Sequence, residues 1–219
     1  MASFATHLNV AAFVSGIASV SIGYSNLSSP QDALGYFFAG IVGGILPDID
    51  HDKSTPIKIL QFFFSNLIAF LITFKYIGSI PILNILLIWL CSYIGMSFIF
   101  YIFKKTTKHR GMIHSIPAGL LFWFLTSLIA YKYFSLNLTK SYFLGMFVFI
   151  GYITHLILDE IYSVDITGKK IKKSFGSALK ICSKDKAVNL LIYSLLFLVF
   201  IFLPKKDILF HIVKGLGNV

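Results

Sequence analysis

Charge is what this sequence has least of. Only 13% of its 219 residues are Asp, Glu, Lys or Arg, while 57% are hydrophobic, a balance outside the range of soluble globular domains. That shortage predicts an integral membrane protein. Cysteine is nearly missing too: Cys91 lies inside an apolar run and Cys182 in a lysine-rich loop, which excludes both zinc-finger spacing and a disulfide framework. Acidic residues number 9 against 19 basic ones. The net charge of +10 would suit a nucleic-acid phosphate backbone in a soluble protein. In a membrane chain, basic loops instead orient the helices and meet anionic lipid, so membrane lipid is the expected partner and nucleic acid is not. There is no low-complexity tract. The first positive charge is Lys53, and no small-residue cleavage pattern follows the first apolar run; the amino-terminal segment is expected to stay as a helix rather than act as a signal peptide.

What the chain does have is long apolar runs. A spanning helix needs about 20 apolar residues, and candidates fall at 4–24, 30–47, 57–77, 80–103, 113–134, 140–161 and 187–203. The expected fold is all-α, a polytopic membrane helical bundle of six or seven transmembrane or partial helices in a single domain over 1–219. The second and seventh candidates are short, and so tilted, partial or re-entrant. Pro30 and Asp32 suit the first turn of the second helix, where proline forfeits no hydrogen bond and a carboxylate meets the positive end of the dipole. Gly40 and Gly44 form a GxxxG step that admits a close helix neighbour. The 23 phenylalanines are read as lipid-facing and packing surface. Residues 162–186 form a polar, lysine-rich cytoplasmic or interfacial loop, with an amphipathic interfacial helix expected from Ile171 onward.

Seven spans send the loops alternately to two sides. The side holding residues 48–56, 104–112 and 162–186, with Lys58, carries 13 of the 19 lysines and arginines. By the positive-inside rule this side is cytoplasmic, and the amino terminus with it. The same topology sends His7, the Asp48 to His51 stretch, His114, His155 and Asp159 to that one face. Of the six histidines only His211 falls on the other side.

Those residues carry the chemistry. In Pro47-Asp48-Ile49-Asp50-His51-Asp52 the proline disfavours helix before it and starts an irregular turn, which can aim several oxygens and an imidazole inward. Asp52 is assigned to solvent or to Lys53. His155 and Asp159 are four apart on a helix and share a face; ionisable groups in a spanning segment are functional candidates. In His109-Arg110-Gly111-Met112-Ile113-His114-Ser115, the Arg110 guanidinium is a fork for phosphate or carboxylate unless it is one more positive-inside anchor. His114 and Ser115 begin the fifth helix, whose amides also favour anions. Carboxylates combined with imidazoles suit zinc, manganese or iron.

The stretches Thr6-His7, Gly44-Ile-Leu-Pro-Asp-Ile-Asp50, His109-Arg-Gly-Met-Ile-His-Ser115, His155-Leu-Ile-Leu-Asp-Glu-Ile-Tyr-Ser-Val-Asp165 and Lys172-Lys-Ser-Phe-Gly-Ser-Ala-Leu-Lys180 together resemble the YdjM-like family of bacterial and archaeal inner-membrane proteins described as metal-dependent hydrolases. The resemblance implies metal ligands at His7, Asp48, His51, His114, His155 and Asp159, with Asp50 bridging or behind them. So many ligands exceed one tetrahedral zinc site, which favours two ions, zinc first among them. The expected activity is hydrolysis of a phosphoester of a lipid or lipid-linked substrate by metal-activated water, at the cytoplasmic face of the inner membrane. Asp50 or Glu160 would accept the water proton, and Arg110, Ser115, Lys172, Lys173 and Ser174 would hold the substrate anion. Covalent serine chemistry is not expected, because the chain lacks both the Pro-Ser-Gly-His block of the phosphatidic acid phosphatase superfamily and a GxSxG. Two other classes remain: a metal-ion transporter or sensor, which should place its ligands near mid-membrane, and a scaffold whose metal only knits helix ends.

Overall fold

The computed structural model describes residues 3–25, 27–50, 55–106, 112–163, 176, 179–183 and 185–208. Among these residues seven α-helices follow one another: α1 Phe4–Tyr24, α2 Pro30–Ile45, α3 Thr55–Phe74, α4 Ile82–Thr106, α5 Ile116–Lys132, α6 Leu138–Ile161 and α7 Lys186–Phe202, with a 3-10 turn Leu46–Asp50 after α2. The fold is all-α. Cα proximity groups the chain into two compact units, Met1–Pro47 with Arg110–Val219, and Asp48–His109.

The first unit is built around α6. Helices α1, α2 and α5 all pack on it, and α7 packs on α5. Its start is set by Asn137, whose side chain accepts from the Lys140 amide at 2.8 Å. Twelve of its 24 residues are buried, among them Tyr142, Phe147, Tyr152 and Leu156 at 0–1% exposure. That is the profile of a helix inside a bundle rather than on its rim. The Trp123 indole of α5 donates to the Tyr142 carbonyl at 3.2 Å, which ties α5 to α6 away from the histidines.

Close approach is made by small residues. The buried face of α1 reads His7, Ala11, Ser15, Ser19, Ile22, and α2 buries Gly40, Gly43 and Gly44. A Cβ on Gly40 would strike the Ser15 side chain, one on Gly44 the Ala11 methyl, one on Gly43 the Val148 backbone, and one on Gly151 the Gly40 carbonyl. Helices α1, α2 and α6 thus meet nearly backbone to backbone, as the GxxxG step anticipates. Pro30 and Asp32 do occupy the first turn of α2, behind the Ser29 cap.

Among the described residues, three helices are long and apolar enough to cross a membrane, Phe4–Tyr24, Ile82–Tyr101 and Leu138–Ile161. At 16 and 17 residues, α2 and α7 are about 24–26 Å long, short of a hydrocarbon core of about 30 Å. Phenylalanines divide as expected: Phe13, Phe38 and Phe62 are more than half exposed, and Phe143 and Phe147 are buried. In the second unit α3 packs against α4, and Ser97 donates to the fully buried Ser65 at 3.3 Å. Gly78, at φ 82°, stands in the turn between them.

Helix limits differ from expectation by about three residues at three places: α3 ends at Phe74 rather than at 77, α4 runs to Thr106 rather than to 103, and α5 begins at Ile116 rather than at 113. Ser115 caps it and Pro117 follows at once, so the residues before the cap are held in a turn. Most of the interfacial helix expected from Ile171 onward lies outside the described residues. Where the chain is described, Gly176 is in a turn at φ 77° and Lys180 pairs with Ser115, so those positions are not helical.

Gly151→Ala should lower the unfolding temperature in detergent, since forcing a methyl onto a backbone carbonyl costs about 1–3 kcal/mol. Gly35→Ala, where an added methyl meets nothing within 4 Å, should leave stability unchanged or raise it by up to about 1 kcal/mol.

Candidate metal centre

The end of α6 carries a carboxylate that water does not reach. Asp159 is 1% exposed, and His7, His114 and His155 around it are 3%, 0% and 0% exposed. Each imidazole presents its Nε2: His7 at 3.4 Å from one carboxylate oxygen, His114 and His155 each at 3.9 Å from the other. The His7 and His155 rings stack, centroids 3.7 Å apart and planes within 12°, and His114 meets His155 edge-on at 5.8 Å.

Four segments of the first unit contribute. His7 rides in the first turn of α1, behind the Ser3 cap that accepts from the Thr6 amide at 3.1 Å. His155 and Asp159 occupy the last two turns of α6, on one face. Helix α2 contributes a backbone atom: the Gly44 carbonyl lies 2.7 Å from His155 Nδ1. Carbonyls in the last turn of a helix have no partner within it, and Pro47 brings no N–H to this one. His114 stands apart from any helix, in the turn Met112 to Ser115. Ser115 N–H donates to the Ile113 carbonyl at 2.9 Å, Ser115 Oγ donates to the Met112 carbonyl, and the Tyr152 hydroxyl of α6 donates to the Ile113 carbonyl.

The donor set fits a divalent ion. A carbonyl can only accept, so the bond to Gly44 puts the His155 proton on Nδ1 and turns the Nε2 lone pair toward Asp159. A second ring nitrogen bonded to a backbone carbonyl is the usual support of a metal-bound histidine. Ligand atoms of His7, His155 and Asp159 all lie within 4.8 Å of one another. Donors on one tetrahedral ion at about 2.0–2.1 Å stand about 3.3 Å apart, so small side-chain adjustments would close the set. A carboxylate this buried needs a counter-charge. A cation shared with the imidazoles supplies it without a proton on either stacked ring.

The other expected site residues stand as follows. Asp48 is half-buried in the 3-10 turn after α2. Asp50 ends that turn, and its side chain is outside the described residues, as are His51, His109, Arg110, Lys172, Lys173 and Ser174. Glu160 is half-buried, and its carboxylate accepts the Gly176 N–H. Ser115 is fully buried, its hydroxyl engaged within its own turn and by the Ala118 amide at 3.4 Å. The expected anion-binding amides of α5 are already taken. Ile116 N–H donates to the Lys180 carbonyl at 3.1 Å, Pro117 has none, Ala118 is capped by Ser115, and Gly119 N–H donates to the Ser115 carbonyl at 3.2 Å. Two contributors are not among the expected ligands: the Gly44 carbonyl, which the GxxxG step does not announce, and Tyr152, which lies three residues before His155 on the same helix face.

Elemental analysis of protein purified without added chelator should find a divalent metal ion bound. His155→Ala and Asp159→Asn should each lower the affinity for that ion by more than the about 10- to 100-fold that an outer-shell partner is worth. Asp32→Asn, which breaks an ion pair with Lys140 at 2.7 Å at the opposite end of α2, should leave it unchanged.

Comparison with known proteins agrees with the membrane reading. No curated protein and no solved structure matches the chain. One family model does, described as YdjM inner membrane protein, and it covers residues 1–207. A match across almost the whole length, over helices of spanning length and the buried histidine-aspartate cluster, settles the kinship: the chain belongs to the YdjM inner membrane protein family.

Proposed function

We propose that this protein is a membrane-bound metal-dependent hydrolase acting on a phosphoester of a lipid or lipid-linked substrate at the cytoplasmic face. The observation that carries the metal part is the His155 imidazole, locked by the Gly44 carbonyl with its Nε2 toward a buried Asp159. His7, His114, His155 and Asp159 would hold the ion; Asp48, Asp50 and His51 are the further ligands that the family resemblance implies for a second. When bound, such ions polarise a phosphoryl oxygen and make water acidic enough to attack near neutral pH.

The remaining work falls to the chain. Asp50 or Glu160 takes the proton from the attacking water, and Glu160, next to Asp159 and partly exposed, is well situated in sequence for it. Arg110 grips the substrate phosphate as a fork, and Lys172, Lys173 and Ser174 are the other side chains assigned to the anion. The lysine distribution supports a cytoplasmic site. A site at helix ends also suits a substrate whose headgroup lies at the interface while its tails stay in the bilayer.

Position weighs against the transporter reading. Transport sites lie near the bilayer midplane, whereas His7 is in the first turn of α1 and Asp159 in the last turn of α6. Metal-loaded protein in mixed lipid vesicles should release headgroup phosphate or phosphoalcohol from at least one phospholipid or lipid-linked phosphate. His155→Ala should reduce that rate at least about 100-fold, the equivalent of a few kcal/mol of lost transition-state stabilisation. Metal-loaded wild type that turns over no phosphoester, while His155→Ala unfolds, would mean that the ion only knits helices together.

A further inference from the structure

We propose that Tyr152 is a positioning residue for the metal centre: its hydroxyl pins the turn that carries His114 against α6, and the affinity and symmetry of the ligand set depend on it. The inference rests on the metal reading of the histidine-aspartate cluster.

Three of the four clustered side chains ride on helix bodies, His7 on α1 and His155 and Asp159 on α6. Helix geometry alone fixes where those begin. His114 has no such support, since it lies two residues before the first helical residue of α5. Among the described residues, two backbone-directed contacts hold its turn from outside. The Tyr152 hydroxyl donates to the carbonyl of Ile113, the residue joined to His114, and the Lys180 carbonyl accepts the Ile116 N–H at 3.1 Å.

Tyr152 is well placed to act as the anchor. It is 0% exposed, its ring lies 5.7 Å from that of Phe122, and it fills the space over Gly119, where a Cβ would press on it at 2.9 Å. The ring therefore sits firmly in the crossing of α5 and α6. Tyr152, His155 and Asp159 follow one another at i, i+3 and i+7, so a single face of α6 bears both the anchor and two ligands. Phenylalanine would fill the same space. A hydroxyl in a site this dry is costly unless it bonds, and its bond goes to the backbone next to a ligand.

The rival account is that the hydroxyl simply satisfies a buried carbonyl, and Tyr142 provides the control. It is 1% exposed, on the same helix, and its hydroxyl donates to the Pro204 carbonyl at 2.6 Å, away from the cluster. The test titrates full-length protein in detergent with cobalt(II) as the probe, following its visible absorption. It also measures hydrogen exchange of the metal-free protein over residues 115–119. Tyr152→Phe should weaken cobalt binding about 10- to 100-fold, as loss of an outer-shell partner does, and shift the absorption bands toward those of His114→Ala. Adding Tyr152→Phe to His114→Ala should cost little more, because both act through one ligand. Exchange over 115–119 should quicken in Tyr152→Phe and not in Tyr142→Phe. Wild-type affinity and spectrum in Tyr152→Phe, or equal losses in both phenylalanine variants, would overturn the proposal. Wild-type protein that takes up no cobalt would overturn the metal reading itself and this role with it. Faster exchange in Tyr152→Phe would then mark a purely structural anchor.

Discussion

A carboxylate sealed from water is the constraint on which the first unit turns. Asp159, at 1% exposure, is costly to bury as an anion without a partner charge, and every nearby element is arranged around that cost. Three imidazoles face it from α1, from α6 itself and from the turn before α5. Packing and chemistry are inseparable here. The Gly44 carbonyl reaches His155 because α2 has no side chain at 40, 43 and 44 to hold α1 and α6 away. The same close crossing lets His7 stack on His155 at 3.7 Å. A bulkier stripe on α2 would cost more than packing energy, since it would withdraw the acceptor that sets the His155 tautomer.

Much of this was legible in the residues because a membrane simplifies the code. Apolar runs of spanning length locate the helices, and an imidazole or carboxylate inside such a run stands out against them. His155 and Asp159 were therefore visible as a pair, and topology alone sent His7 and His114 to the same end. Backbone roles were less legible. Nothing in a glycine's identity says that its carbonyl will accept a hydrogen bond, and Gly44 was read only as a gap. The start of α5 was misplaced for a related reason: apolar Met112 and Ile113 continue the hydrophobic pattern, but the Ser115 cap and Pro117 end it. The pairing of Ser115 with Lys180 joins residues 65 apart through main-chain atoms, and no side-chain pattern encodes it.

The amides at the start of α5 change how an anionic substrate would be recognised. Helix N-termini attract phosphate because their first N–H groups lack partners. Here those groups are accounted for by Lys180, Ser115 and a proline. The helix end is spent on bonds to its own cap and to the Lys180 carbonyl. An anionic substrate would have to be held by side chains, and in this sequence the only arginine is Arg110, four residues before His114.

Counting donors separates the two roles an ion could have at this place. His7, His114, His155 and Asp159 by themselves would close a tetrahedral zinc, and a closed four-ligand site is structural, with no position left for a substrate. An ion so held would tie α1 and α6 to the turn before α5 and do nothing more. The resemblance noted in the sequence implies Asp48, Asp50 and His51 as further donors; only donors enough for a second ion would let each ion keep a position for water or substrate. The balance between scaffold and enzyme thus rests on the short stretch after Pro47. Were its carboxylates to join the set, there would be more donors than a structural knot requires, which is what binding a phosphoryl oxygen as well would call for.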